Sequence, residues 1–168
     1  MEAIVNVCEN WGIGMDNRLL VTLPSDLRRF RALTEGKTVI LGRKTLATFP
    51  GGKPLKNRNN LILSENPDYF VEDAEVVRSL LALLARVREL PEKAVCVIGG
   101  AQIYRLLLPY CSRAFVTRTF LSPPADRFFP ALDTLPEWEK TAQSEPLTEN
   151  GVTFQFEDYV NLSPRPLP

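Results

Sequence analysis

Residues 95–101, VCVIGGA, are the stretch that decides the fold class. The apolar run Ala94–Ile98 predicts a strand that is buried on both faces, because it offers no polar side to solvent. Gly99 and Gly100 break this strand, and the residues 101–108 that follow predict a helix. A buried strand that leads directly into a helix is the repeating unit of a parallel α/β sheet.

The same alternation extends through most of the chain. Further strands are predicted at Ala3–Cys8, Thr38–Leu41, Asn60–Ser64, Val76–Val77 and Arg113–Thr119, and further helices at Pro24–Leu33, Lys44–Thr48 and Leu80–Leu90. Two last strands, Trp138–Ser144 and Val152–Tyr159, are predicted to pair antiparallel through a turn at Glu149-Asn150-Gly151.

These elements predict a single α/β domain over residues 1–160. We expect a mostly parallel central sheet of about eight strands, with an antiparallel C-terminal strand and four flanking helices. Such sheets bind ligands at the carboxyl ends of their strands. The Pro-rich residues 161–168 are predicted to form a loose C-terminal tail.

The composition excludes several classes of function. The 168 residues suffice for one domain with a core, and 45% are hydrophobic and 24% charged. Twenty basic and 20 acidic side chains cancel, so we expect no nucleic-acid or anionic-membrane partner. The start lacks a basic segment followed by a long apolar run, and we therefore expect neither a signal peptide nor a membrane span.

Histidine is absent, and cysteine is scarce. Without histidine, Ser–His–Asp and Cys–His catalysis and His-based zinc sites are excluded, so acid–base chemistry must use carboxylates, Lys, Tyr or water. Cys8, Cys96 and Cys111 form an odd number with no close pairing. They predict buried, reduced thiols in a cytoplasmic protein without a metal site.

Residues 12–30, GIGMDNRLLVTLPSDLRRF, predict a glycine-hinged polar loop that runs into a helix. Leu23, Asp26, Leu27 and Phe30 stand at i, i+3, i+4 and i+7, which places them on one helical stripe. A carboxylate on an apolar stripe needs a hydrogen-bond donor, which either the protein or a ligand supplies. Alternatively, Asp26 only complements the helix dipole from the first turn.

Features suited to phosphate binding follow two of the predicted strands. Gly99 and Gly100 allow a diphosphate to approach a helix start closely, although they do not form a GxGxxG motif. In residues 39–45, VILGRKT, the cations Arg43 and Lys44 stand at a helix start, where an anion would compensate them. A tight turn without a ligand and two solvated cations are the alternatives.

Two polar residues stand beside or within apolar strands. Arg58 precedes the Asn60–Ser64 strand, where it either binds a carboxylate at the rim of the sheet or remains a surface cation. Thr117 lies within an apolar strand, and a buried hydroxyl needs a partner, for which Asp26 is one candidate. Ordinary strand propensity is the alternative explanation of Thr117.

The ordered set of these segments resembles the dihydrofolate reductases from Ala3 to about Tyr159. The matching residues are Gly12–Met15, Leu23–Leu27, Phe30, Gly42–Thr45, Leu63–Ser64, Ile98–Ala101, Ile103–Tyr104, Thr117 and Asp126–Pro130. The resemblance implies NADPH-dependent reduction of 7,8-dihydrofolate to 5,6,7,8-tetrahydrofolate by a monomer. Hydride would pass to C6, and water would protonate N5 with the help of Asp26. A related pteridine or pyrimidine reductase and a non-catalytic NADPH- or folate-binding module remain alternatives.

The resemblance also implies a role for individual residues. Asp26 and Thr117 would form the catalytic pair. The substrate-binding residues would be Ile4, Val5, Asn6, Leu27, Phe30, Phe49, Leu55, Arg58, Ile98 and Tyr104. The residues that bind the cofactor NADPH would be Ile13, Gly14, Met15, Asn17, Leu19, Gly42, Arg43, Lys44, Thr45, Leu63, Ser64, Glu65, Gly99, Gly100, Ala101, Gln102, Ile103 and Tyr104. Residues 13–19 would be a mobile loop, Asp126 would steady its closed form, and a cis peptide would join Gly99 to Gly100.

The chain departs from the family pattern at four positions. Val21 stands where the family has a Trp that helps to hold a water, and Val cannot donate a hydrogen bond. Asn6 replaces a small apolar residue beside the pterin. Glu65 lies near the expected 2′-phosphate and should weaken its binding, whereas the cations at 43–44 should strengthen it. Gln102 stands where some relatives have another cation.

Overall fold

Strands and helices alternate along this computed structural model, which describes residues 1–168. The strands are β1 (Glu2–Cys8), β2 (Gly12–Met15), β3 (Arg18–Leu19), β4 (Thr38–Gly42), β5 (Asn59–Leu63), β6 (Glu75–Val77), β7 (Val95–Gly99), β8 (Arg113–Thr119), β9 (Arg127–Phe128), β10 (Trp138–Gln143), β11 (Leu147–Glu149) and β12 (Val152–Asn161). The helices are α1 (Pro24–Thr34), α2 (Arg43–Ala47), α3 (Leu80–Arg88) and α4 (Ala101–Leu107). The predicted elements are confirmed, with ends that differ by one or two residues.

One central sheet has the strand order β10-β12-β8-β1-β7-β4-β5-β6, and β11 adds a short ninth strand beside β12. The strands from β8 to β6 in this order are parallel to one another. The C-terminal strand β12 is antiparallel to β8, with Phe154 opposite Thr119 and Val160 opposite Arg113. The predicted mostly parallel sheet of eight strands, closed by an antiparallel strand, is therefore confirmed.

Two apolar clusters cover the two faces of this sheet because successive side chains of a strand point to opposite faces. Val95 and Val97 of β7 belong to the larger cluster, which includes residues of α3 and α4. Cys96 and Ile98 belong to the smaller cluster, against which Phe30 of α1 packs. The continuous apolar run of β7 thus supplies both layers of the core.

The segment between β1 and α1 differs from the predicted polar loop. It forms the hairpin β2–β3, and the second edge of β2 pairs with β9, which gives a small three-stranded sheet. Asp16 and Asn17 form its two-residue turn with φ of 50° and 61°, a conformation that Asn and Asp adopt more readily than most residues. Strands of two to four residues are too short for alternation to reveal them.

The turn at Asn150-Gly151 is also connected differently from the prediction. It joins β11 to β12, with Glu149 opposite Val152, whereas the sequence predicted that it joins the Trp138 strand to β12. The β10 strand still pairs with β12, through an irregularity between Lys140 and Ala142.

The C-terminal tail is docked, and the prediction of a loose tail is wrong. The Arg165 N–H donates to the Pro109 carbonyl at 2.8 Å, and Leu167 packs against the larger apolar cluster. Burial of the Leu167 side chain stabilises this arrangement, and the prolines limit the chain entropy that docking costs.

All three cysteines are free and buried, as predicted. Burial raises the pKa of the Cys96 thiol to about 11 and that of the Cys111 thiol to about 12, so both remain protonated at neutral pH. No helix is both long and apolar enough to span a bilayer.

Candidate active site

Asp26 lies in the first turn of α1, where two neighbouring strands supply donors to its carboxylate. The Thr117 hydroxyl of β8 donates to Oδ1 at 2.5 Å, and the Asn6 amide of β1 donates to Oδ2 at 2.9 Å. Asn6 and Thr117 are register partners in the parallel β1–β8 pair, which brings both donors to the same place. The predicted hydrogen bond between Thr117 and Asp26 is confirmed, and the sequence did not indicate the bond from Asn6 to Asp26.

The apolar stripe that contains Asp26 is only partly covered by the protein. Leu23 is buried, but Leu27 is 52% exposed and Phe30 is half-buried. Leu23 precedes α1, and among the residues of the helix itself Thr34 alone is fully buried. Apolar side chains beside a half-buried carboxylate therefore remain available to a ligand that has both an apolar and a hydrogen-bonding face.

Most of the predicted substrate-binding residues lie on the sheet face that α1 covers. Ile4 and Ile98 belong to the smaller apolar cluster, against which Phe30, Phe49 and Leu55 pack. This arrangement brings together residues that are far apart in the sequence.

Val5 does not share this face of the sheet. As the neighbour of Ile4 in β1, its side chain points to the opposite face and belongs to the larger cluster with Val7 and Trp11. The Val5 side chain therefore faces away from α1 and Asp26, and the assignment of Val5 to the substrate site stays a prediction.

Tyr104 of α4 is buried beneath the site. Its hydroxyl donates to the Ile4 carbonyl at 2.6 Å. Burial, with a smaller contribution from the charge of Asp26, raises the pKa of the Tyr104 phenol above its usual value. Tyr104 is therefore a neutral donor that orients the β1 backbone next to Asp26.

Arg58 is held in place by neutral acceptors at the end of α1. Its Nε donates to the Thr34 hydroxyl at 3.1 Å, and its Nη1 donates to the Lys56 carbonyl at 2.8 Å. Partial burial lowers the pKa of Arg58, and the nearby charge of Glu35 opposes this effect. Arg58 has no salt bridge within 4.0 Å, so its guanidinium is free to pair with an anionic ligand.

A second region is a cleft of about 640 Å³, bounded by the β2–β3 hairpin, α2, the end of β5 and the start of α4. Most of the predicted cofactor residues line it: Ile13, Gly14, Asn17, Leu19, Gly42, Arg43, Lys44, Thr45, Leu63, Ser64, Glu65, Gly100, Ala101, Gln102 and Ile103. Of the other three, Met15 is exposed at the tip of the hairpin, and Gly99 and Tyr104 are buried.

The sequence did not indicate six further residues that line the cleft: Arg18, Thr48, Leu80, Arg105, Leu106 and Arg127. Arg18 and Arg127 lie on β3 and β9, strands that the sequence did not predict. The cleft is therefore lined by one carboxylate, Glu65, and five cations: Arg18, Arg43, Lys44, Arg105 and Arg127. Among the five cations, Arg127 has a carboxylate partner, Asp126, at 4.0 Å. The excess of unpaired cations fits a polyanionic ligand.

The β7–α4 turn favours glycine at two positions. The peptide between Gly99 and Gly100 is cis, as the family resemblance implied, and Gly99 has φ of 141°. A Cβ on Gly99 would lie 3.2 Å from Thr45 Oγ1, and one on Gly100 would lie 3.1 Å from the same atom. Backbone without side chains therefore borders the cleft, and this cradle fits the close approach of a diphosphate.

Asp126 anchors the β2–β3 hairpin beside the cleft. Its Oδ2 accepts from the Asp16 N–H at 3.2 Å, and its own N–H donates to the Gly14 carbonyl at 3.0 Å. This contact matches the position expected for Asp126 from the resemblance.

Comparison with known proteins gives a consistent result. The dihydrofolate reductase family model matches residues 1–161. Dihydrofolate reductase of Neisseria meningitidis serogroup A is 37% identical over 158 residues, which cover 94% of this chain and 95% of that protein. Dihydrofolate reductase type 3 of Salmonella typhimurium is 35% identical over 160 residues, with 95% of each chain covered.

Among solved structures, dihydrofolate reductase from Enterococcus faecalis complexed with NADP(H) and RAB-propyl is similar to this chain. The TM-score is 0.85 with 32% identity, and 95% of each chain is covered. The sequence, the fold and the comparisons together show that this chain belongs to the dihydrofolate reductase family.

Proposed function

We propose that this protein catalyses the NADPH-dependent reduction of 7,8-dihydrofolate to 5,6,7,8-tetrahydrofolate. The observation that carries the proposal is the carboxylate of Asp26, which neutral donors hold beside uncovered apolar side chains. The cationic cleft with its glycine turn and the family membership of the chain support the same activity.

In the proposed mechanism, Asp26 binds the pterin and favours its protonation. Each carboxylate oxygen has about two acceptor positions, and Thr117 and Asn6 use one on each oxygen. The remaining positions accept hydrogen bonds from the 2-amino group and the N3 side of the ring. The negative charge of Asp26 then favours protonation of N5. Water carries the proton because the chain has no histidine, and Val21 offers this water no hydrogen bond.

The apolar side chains and Arg58 are proposed to bind the rest of the substrate. Phe30, Phe49 and Leu55 contact the rings of dihydrofolate, since these half-buried side chains pack on the sheet face beside Asp26. Arg58 binds the α-carboxylate of the glutamate tail, because its guanidinium is oriented by Thr34 and lacks an ion-pair partner.

The residues around the cationic cleft are proposed to hold NADPH, which supplies the hydride when it is bound. Gly42 and Gly100 provide backbone next to the diphosphate. Arg43 and Lys44 neutralise the 2′-phosphate, whereas Glu65 on the same cleft reduces this preference for a phosphorylated cofactor.

The decisive experiment measures the loss of NADPH absorbance by the purified chain with and without dihydrofolate. We expect steady turnover that requires both compounds and is slower with NADH. Turnover of a pterin without a glutamate tail, but not of dihydrofolate, would favour a related pteridine reductase. NADPH binding without any turnover would favour a binding module.

We also propose that the protein acts as a monomer in the cytoplasm and binds no nucleic acid. The buried, protonated thiols suit a reducing compartment, and the balanced charge offers no electrostatic attraction to nucleic acid. Sedimentation velocity tests the oligomeric state directly.

A further inference from the structure

We propose that Asn6, held by Thr119, is a positioning residue that fixes the ionised carboxylate of Asp26 for substrate binding and N5 protonation. The chain of hydrogen bonds Thr119–Asn6–Asp26 is called the polar relay below. Its kinetic test rests on the proposed function, whereas its geometry does not.

The direction of every hydrogen bond in the polar relay is fixed by chemistry. An ionised carboxylate only accepts, so the amide of Asn6 must present its NH₂ group to Asp26, 2.9 Å away. The amide oxygen then points to Thr119, whose hydroxyl lies 2.8 Å away and must donate. Thr119 is fully buried, so its hydroxyl has no access to water as an alternative partner.

With the polar relay in place, both carboxylate oxygens of Asp26 accept a hydrogen bond from the protein. Thr117 donates to one carboxylate oxygen and Asn6 to the other, so rotation of the carboxylate breaks at least one bond. Both donors are neutral, and they therefore orient the carboxylate without cancelling its charge. The carboxylate keeps its charge, and its unused acceptor positions stay in a fixed orientation.

The hydrogen bond from Asn6 to Asp26 is not expected from the family pattern. The family resemblance places a small apolar residue at this position, which cannot donate to Asp26. Asn6 and Thr119 depend on each other, because loss of the amide would leave the buried Thr119 hydroxyl without a partner.

The charged groups around Asp26 are already engaged elsewhere. On α1, Arg28 lies 3.8 Å from Glu149, and Arg29 lies 3.4 Å from Asp158. Tyr104 of α4 is a neutral phenol, and the charge of Asp26 adds to the effect of burial in raising its pKa. Strands β1 and β8 carry three further charged side chains. Glu2 is buried near the start of β1. On β8, Arg113 pairs with Asp158, and Arg118 pairs with Glu157 and Asp133. The neutral donors Asn6 and Thr117 are therefore the side chains that hold Asp26 directly.

The test compares the pH dependence of single-turnover hydride transfer in wild type and Asn6→Ala. Because N5 must be protonated, the rate falls as pH rises. Without the donor, the proton shared by the carboxylate and the bound pterin is retained to higher pH. We expect the midpoint of the profile to move upward by roughly one pH unit, the size expected for one hydrogen bond to a charged group.

Thr119 variants keep the test valid if Asn6→Ala folds poorly. Thr119→Val removes the hydroxyl that orients the amide and should move the midpoint in the same direction by a smaller amount. Thr119→Ser retains the hydroxyl and should restore the wild-type profile. Thr148→Val is the matched control, since its hydroxyl bonds to Thr153 on the exposed β11–β12 hairpin and should leave the profile unchanged.

The double variant Asn6→Ala/Thr119→Val separates a positioning role from a structural one. It leaves no unpaired hydroxyl, so it should recover stability relative to Asn6→Ala while it retains the shifted profile. Superimposable profiles for wild type, Asn6→Ala and the double variant would overturn the proposal, as would equal shifts in Thr119→Ser and Thr119→Val.

A binding measurement distinguishes failure of the polar relay from failure of the proposed function. The affinity of a 2,4-diaminopyrimidine, which pairs with a carboxylate as a cation, is measured against pH for wild type and Asn6→Ala. We expect the acid limb of the affinity profile, on which protonation of the carboxylate weakens binding, to lie at higher pH in Asn6→Ala than in wild type; the alkaline limb is set by the free ligand and should not move. If wild type does not reduce dihydrofolate, the proposed function fails, but this binding curve still decides for or against the polar relay.

Discussion

Asp26 and Glu157 lie on opposite faces of the central sheet, and the protein holds these two carboxylates in opposite ways. The Glu157 side chain is 2% exposed and lies 3.2 Å from Arg118 Nη2 and 3.5 Å from Lys140 Nζ. Gln155 adds a hydrogen bond at 2.6 Å. Asp26 is half-buried and receives hydrogen bonds from the neutral side chains of Asn6 and Thr117.

The difference separates a structural carboxylate from a functional one. Burial of a charge is costly unless a counter-charge and hydrogen bonds compensate it, and Glu157 has both. Arg118 is itself stabilised by the Trp11 ring, which lies 4.0 Å from its guanidinium carbon. A carboxylate that is neutralised in this way has nothing left for a ligand. Asp26 retains its charge and part of its acceptor capacity, and it therefore can act on a substrate.

The largest expected effect is the loss of turnover in Asp26→Asn. The amide keeps the size of the side chain but removes the charge that favours N5 protonation, so turnover at neutral pH should fall roughly 10²–10⁴-fold. Because Asp26 is only half-buried, the free energy of unfolding should change by less than about 1 kcal/mol. Stopped-flow hydride transfer and urea unfolding measure the two quantities, and near-normal turnover would refute the assigned role of Asp26.

Glu157→Gln should show the reverse pattern. The amide removes one of the two carboxylates that compensate Arg118 and the carboxylate that compensates Lys140, and we expect the free energy of unfolding to fall by about 2 kcal/mol. Turnover of the folded variant should stay within a factor of two or so of wild type, since Glu157 lies on the other face of the sheet. A large loss of turnover at unchanged stability would show that the division between the two carboxylates is wrong.

The two carboxylates also differ in how far the sequence could identify them. Asp26 interrupts an apolar stripe at helical spacing, and this local pattern is visible without a structure. Glu157 occupies a strand in which it alternates with aromatic residues, so its sequence resembles that of a half-exposed strand. Its burial results from the packing of Arg118 and Lys140, which are distant in the chain.

Long-range register explains most of what the sequence could not provide. The long apolar strands and their succession along the chain were predictable, because the hydrophobic pattern of each strand is visible within a few residues. The contact of Asn6 with Asp26 depends on the β1–β8 pairing, which joins residues more than 100 positions apart. Strands β3 and β9 are two residues each, too short to show alternation, and the cleft residues Arg18 and Arg127 were missed with them.

Glu149 is a third carboxylate, and it provides the smallest test of the same comparison. It accepts from the Ser25 N–H at 2.9 Å and from the Ser25 hydroxyl at 2.5 Å, which satisfies the first turn of the helix that bears Asp26. The hydrogen bond from the Ser25 hydroxyl, followed by that from the Ser25 backbone, lowers the pKa of Glu149 from its usual value. Like Asp26 it is held mainly by neutral donors, but its position at a helix N-terminus gives it a structural role.

A lowered pKa determines the sign of the pH dependence of this contact. The stability from Glu149 is fully present above the pKa of the unfolded chain, about 4.3, and is lost as pH falls through the lower pKa of the folded protein. Glu149→Gln should therefore lower the urea midpoint at neutral pH, and its difference from wild type should shrink as the pH falls below about 4. Glu145→Gln is the matched control, because this exposed side chain forms no salt bridge or hydrogen bond, and it should change neither midpoint. An equal effect of Glu149→Gln at both pH values would mean that the shape of the side chain, and not its charge, holds the start of α1.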